Sequence, residues 1–137
     1  MNSKKLITIG LLGSIAVALG ALGAHFLKGK LPSGLITHDQ LNGFDTAVKY
    51  QMYHVLAMFG LILLSKNNNH KFIKWAYYSF LIGIIMFSGS LYFMCTRDLL
   101  GANWLIALGP ITPIGGLFFI AGWIFIALIG FQKEGKQ

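Results

Sequence analysis

Few side chains in this sequence could do chemistry: four histidines, one cysteine, four acidic residues and a scatter of hydroxyls among 137 residues. The densest grouping is YQMYH, in which Tyr50 lies four residues before His54 and Gln51 three before it. On a helix those offsets put all three on one face. An imidazole beside a phenol and an amide can bind a small ligand, contribute to a metal or haem site, or tie helices together through hydrogen bonds. His25, Ser88, Ser90, Tyr92 and Thr112 are further polar groups set in apolar surroundings.

The alternatives differ in what else they need. A bis-histidine haem site needs two rings converging at matched depth, and His25 lies nearer the end of its apolar run than His54 does. Zinc would need further ligands, for example His38 or Asp39, and no tight spacing such as H-E-x-x-H occurs. Ser88-Gly89-Ser90 is not the G-x-S-x-G elbow of a nucleophilic hydrolase. No acid, base and nucleophile set is visible, so no enzyme, metal or cofactor is expected. Cys95 is the lone cysteine and reads as a small apolar residue near a helix end.

The elements that must position these groups are membrane spans. Hydrophobic residues make up 55% of the chain and charged residues only 11%, against about a quarter charged in soluble domains. Four apolar stretches, about 6–27, 47–64, 72–95 and 113–131, approach or exceed the roughly 20 residues that cross hydrocarbon. The fold class expected is therefore all-α, a single transmembrane four-helix bundle filling residues 1–137.

The net charge of +7 follows topology. Lys4, Lys5, Lys66, Lys71, Lys74, Lys133 and Lys136 fall on one side, whereas Lys28, Lys30, Lys49 and Arg97 share the other with Asp39, Asp45 and Asp98. The positive-inside bias puts both termini in the cytoplasm of a cell-membrane protein and argues against a nucleic-acid partner. MNSKK followed by an apolar run could open a signal peptide, but the run exceeds the usual h-region and no soluble domain follows it, so a retained span is expected.

The first span carries two rows of small residues, Gly10, Ser14 and Ala18, and Ala16, Gly20 and Ala24. Small-xxx-small spacing lets helices approach closely in lipid. This predicts a first helix packed on two neighbours, in the same chain or a second copy, and hence a homo-oligomer. Thr37 and Gln40 have capping-box spacing and predict an amphipathic lead-in over about 37–46, with Gly43 as its weak point. Trp75, Tyr77 and Tyr78 suggest the inner aromatic belt and Trp104 the outer. SKNNNHKF reads as a short polar hairpin in which His70 has no role. In GPITPIGG, Pro110 and Pro113 break the last apolar stretch. Thr112 and Pro113 then read as N-cap and first helical residue, after a re-entrant or kinked piece over 105–112.

With this topology His25, Tyr50, Gln51, His54, Ser88, Ser90 and Thr112 all fall in the outer leaflet. Such residues should face the bundle interior. Two readings follow: a pocket for transport or for a small lipophilic ligand, or a set of interhelical locks in a structural or accessory protein whose partners are membrane lipids.

GALGAH at Gly20 to His25, YQMYH at Tyr50 to His54, FSGSLY at Phe87 to Tyr92 and GPITPIGG at Gly109 to Gly116 occur in this order along the chain. Together they resemble the YgdD-like family of small bacterial membrane proteins, and the resemblance spans about Leu6 to Phe131. It implies a multi-spanning membrane protein of about four helices and implies no activity.

Overall fold

Glycine and aromatic placement governs how the helices meet. The computed structural model describes residues 3–66 and 70–134, with side chains described as far as Phe131. Asn67 to Asn69 of the expected hairpin, and Lys136 and the Lys133 side chain among the topology-setting cations, lie outside that description.

Helix α1 (Ser3–Leu22) runs on through a π-helical turn, Gly23–Leu27, and a 3₁₀ segment, Lys28–Ser33, which ends at Gly34 with φ 71°. A left-handed residue suits glycine, which has no Cβ to clash. Helix α2 (His38–Ser65) is one unbroken helix. Its N-cap is the expected capping box: the Thr37 hydroxyl accepts from the Gln40 N–H at 3.1 Å, and the Thr37 N–H donates to Gln40 Oε1 at 2.8 Å. The lead-in and the second span are thus the same helix. Gly43 does not break it, and the Cys95 sulfur occupies the place a Cβ would need.

Helix α3 (Lys71–Gly83) passes through a second π turn, Ile84–Ser88, into α4 (Gly89–Cys95). His70, expected to have no role, caps α3 by accepting from the Phe72 N–H at 3.2 Å. A 3₁₀ segment, Asn103–Leu108, then leads into α5 (Ile111–Glu134). The Pro/Gly-rich stretch is therefore helical on both sides of a tight turn at Gly109 and Pro110. Thr112 does not cap α5: Gly109 already has αR angles (φ −48°, ψ −48°), so the chain is helical before Thr112 is reached. Pro113 lies in the first turn, where its missing N–H removes no intrahelical bond.

Four segments, Ser3–Ser33, His38–Ser65, Lys71–Cys95 and Asn103–Phe131, are long and apolar enough to cross a membrane, and no strand occurs among the described residues. Two seams hold them together. In the α3–α5 seam the Phe80 ring lies where Gly122 lacks a side chain, the Phe119 ring lies against Gly83, and the backbone at Met86 and Phe87 lies against Gly115. In the α1–α2 seam Ala16 is fully buried, Gly20 lies against Val48 and Gly23 against Phe44. The expected row Ala16, Gly20, Ala24 is thereby corrected at its last member, since Ala24 is exposed. A strict i+4 row drifts by about 40° per step, and the three-residue step to Gly23 brings it back to the partner. Gly10, Ser14 and Ala18 do not pack on a second helix of this chain and face outward.

Tyr77 also departs from the belt expected for it. It is buried, with the Lys5 ammonium 4.8 Å from its ring centroid, while Trp75, Tyr78 and Trp104 are exposed.

Candidate functional site

Helix α2 carries the polar residues that organise the bundle, and its two π-turn neighbours flank them. His54 is buried between α2 and α5. Its Nε2 accepts from the indole N–H of Trp123 at 3.2 Å, and its Nδ1 lies 2.6 Å from the Tyr50 carbonyl. An indole N–H only donates, so Nε2 must carry a lone pair and Nδ1 the proton. The ring is neutral, with both nitrogens occupied. It also stacks on Phe119 at 3.6 Å between centroids and 7° between planes.

Gln51 lies one step round the helix and is only 2% exposed. Its amide N–H donates to the Leu12 carbonyl at 2.7 Å, and its Oε1 accepts from the Tyr92 hydroxyl at 2.8 Å. One side chain therefore joins α1, α2 and α4. Ser88, at the end of the second π turn, is fully buried and donates to the Ala47 carbonyl at 2.7 Å. The π turn inserts an extra residue, which re-aims the following side chains. Ser90 and Thr112 share a 2.6 Å hydroxyl contact that pins α4 to the start of α5. At the far end from the termini, Gln40 donates to Asp98 at 2.6 Å and ties the start of α2 to the α4–α5 connection.

The single shared pocket expected from the sequence is divided in two. Gln51 and Ser90 lie at the floor of a groove of about 630 Å³ between α1 and the α3–α4 helix, walled by Ile15, Ile85, Phe93 and Leu108 and flanked by Trp104. Tyr50 and His54 border a second groove, of about 620 Å³, between α2 and α5, with Tyr53, Phe119 and Trp123. Ser88 is sealed between them and reaches neither. His25 joins neither group: it is exposed in the first π turn, near the level of Phe44, and His54 lies ten residues further along α2. That is about 15 Å of helix rise, so the two imidazoles do not converge. Among the described residues no three of His, Cys, Asp and Glu gather in metal-binding range.

Every buried side-chain nitrogen or oxygen among the described residues has a partner. Tyr92, which completes the knot, reads from the sequence only as one of the polar groups of the third span, and Trp123, the indole that completes the histidine, has no role in that reading. Tyr92 is within FSGSLY, but the pairing of Gln51 with it depends on α2–α4 register. Trp123 lies within an apolar run of the sequence and had no spacing signal to mark it.

A model of the family described as a protein of unknown function (DUF423) matches residues 19–116. A UPF0382 membrane protein of Haemophilus influenzae is 37% identical over 134 residues, covering 98% of this chain and 98% of its own. UPF0382 membrane protein SAB0533 of Staphylococcus aureus is 38% identical, covering 96% of this chain and 99% of its own. UPF0382 membrane protein YwdK of Bacillus subtilis is also 38% identical, covering 91% and 94% respectively. No solved structure matches. With a family model across most of its length and relatives matched nearly end to end, this chain belongs to the DUF423, or UPF0382, family of membrane proteins.

Proposed function

We propose that the chain is a YgdD-like member of this family and a non-enzymatic, multi-pass cell-membrane protein that holds a small lipophilic ligand in the groove between α1 and the α3–α4 helix. The observation that carries the reading is the groove itself: about 630 Å³ of space, walled by apolar side chains, open to the side along a span. Ligand pockets of this size are mostly apolar with a few fixed polar groups. Here Gln51 and Ser90 are already committed to protein partners, so the ligand is recognised by its hydrocarbon part. The polar residues hold the walls apart. Both termini lie in the cytoplasm in this reading, and the outward row of Gly10, Ser14 and Ala18 supports a homo-oligomer.

A structural or accessory role is favoured by a separate observation, the complete pairing of the buried polar groups. Native mass spectrometry of the detergent-purified protein, with Ile15→Trp as a groove-filling variant, separates the two. A bound lipid-like mass in the parent protein that is lost in Ile15→Trp supports the ligand reading. Protein that releases only detergent, with Ile15→Trp indistinguishable from the parent, overturns it in favour of the structural role.

A further inference from the structure

The groove between α2 and α5 differs in chemistry from the one just assigned. Its floor is a layer of aromatic rings. Tyr50 stacks on Phe87 at 4.9 Å between centroids, His54 stacks on Phe119, and Trp123 closes the lower end against His54. Tyr50, Tyr53 and Trp123 keep 41%, 56% and 51% of their surface exposed, so ring faces and edges remain uncovered.

Two hydroxyls along this groove, those of Tyr50 and Tyr53, make no hydrogen bond among the described residues, and Tyr53 meets only the charge of Lys49, one turn before it. The His54 nitrogens and the Trp123 N–H are paired. A helical side chain points back toward its own N-terminus, so both hydroxyls lean toward the end of α2 that carries the Asp45–Lys49 ion pair. A phenol hydroxyl without a protein acceptor is free to donate to a bound ligand. The groove thus offers flat aromatic surface along its length and two O–H donors toward one end.

We propose that this groove is a second binding site, for a lipid-soluble planar ring that carries carbonyl oxygens, of the isoprenoid quinone class, with the ring against Tyr50 and Tyr53 and its carbonyl accepting from their hydroxyls. The tail runs along Leu117 and Ile120, which are exposed on the same side of α5. Offset stacking supplies orientation and the hydroxyls supply selectivity for an oxygen at the ring edge. A plain acyl chain would use neither. The site is independent of the groove assigned to the lipophilic ligand, and no electron transfer is part of the proposal.

The test uses the full chain in detergent, carrying Trp75→Phe and Trp104→Phe so that Trp123 is the remaining indole. A short-chain ubiquinone is titrated while Trp123 fluorescence is followed. Saturable quenching is expected in this background, with the midpoint raised about 5-fold by Tyr53→Phe and about 30-fold by the Tyr50→Phe, Tyr53→Phe pair, at roughly 1 kcal/mol per hydrogen bond. Phenylalanine keeps the rings, so an unchanged melting temperature shows that the fold is intact. Ile15→Phe, which narrows the other groove without adding an indole, should leave the midpoint unchanged. Quenching that rises linearly without saturating, or a midpoint indifferent to both hydroxyls, overturns the proposal. Equal competition by a saturated phospholipid would also overturn it, because the groove would then be a lipid contact.

Discussion

The α3–α5 seam and the α1–α2 seam solve the same problem in different ways. Between α3 and α5, phenylalanine rings occupy the gaps left by glycines on the opposite helix, and at Gly115 backbone meets backbone. Between α1 and α2, small residues permit approach, but the joint is completed by a polar side chain, Gln51, reaching the Leu12 carbonyl. Lipid tails are as apolar as the side chains they would replace, so packing and hydrogen bonding must supply what hydrophobic burial supplies in water. The first seam depends on shape, and the second on shape plus one shared amide. That difference leaves α1 held chiefly along α2 and opens the groove on its other side.

The comparison can be broken most severely at Gly115. Gly115→Leu would drive a side chain into the Phe87 backbone, which cannot yield as a rotamer can. Overpacking costs about 1–3 kcal/mol where neighbours can shift and more where they cannot. The expected result is loss of a monodisperse, folded species by size-exclusion chromatography in detergent. A normal elution profile and melting temperature would show that the seam is looser than its geometry indicates.

A smaller loss is expected at the polar joint. Gln51→Leu keeps volume but strands the Tyr92 hydroxyl, at about 1–3 kcal/mol for an orphaned buried group. Because the same change frees α1, protease accessibility at its junction with α2 should rise together with a lower melting temperature. If Gln51→Leu and the Gln51→Leu, Tyr92→Phe pair melt identically, Tyr92 is not part of the joint.

His54→Phe lies between the seams. The ring can keep its stack on Phe119, while the Trp123 N–H loses its acceptor. Membrane hydrogen bonds average about 0.6 kcal/mol, so a melting-temperature decrease of a few degrees is expected, with Trp123 emission shifted. His54→Ala should cost more, since it also empties the space against Phe119 and Phe80. A His54→Phe protein as unstable as His54→Ala would mean that the hydrogen bonds outweigh the stacking.

The smallest effect is expected on the outward face of α1. Gly10→Ala adds a methyl where nothing lies within 4 Å and should leave the protomer's stability unchanged or raised by up to about 1 kcal/mol. Its melting curve reads the protomer, and its mass in native mass spectrometry reads the assembly. A clear destabilisation of the protomer would show that α1 has a second partner within the chain.

Much of this was legible in the residues. Four spans follow from apolar length, and the Thr37–Gln40 spacing gave the α2 cap. YQMYH lies on the helix that gathers polar contacts, and Ser88, Ser90 and Thr112 hydrogen-bond to other helices. Other features were not legible for specific reasons. The π turns at Gly23–Leu27 and Ile84–Ser88 have no sequence rule as firm as a capping box, yet each shifts the face that follows it. Tyr50, Gln51 and His54 share a helix face, but a face is wide enough for two different neighbours.

By itself the sequence determined the class of the protein: composition and the lengths of its apolar runs require helices in a membrane, because only helices and closed barrels satisfy the backbone without water. Only the tertiary structure decided which polar group meets which. Gln51 turns to α1 and α4, His54 turns to α5, and His25 meets neither, because those pairings depend on helix register, glycine gaps and π turns that bring together residues far apart in the chain.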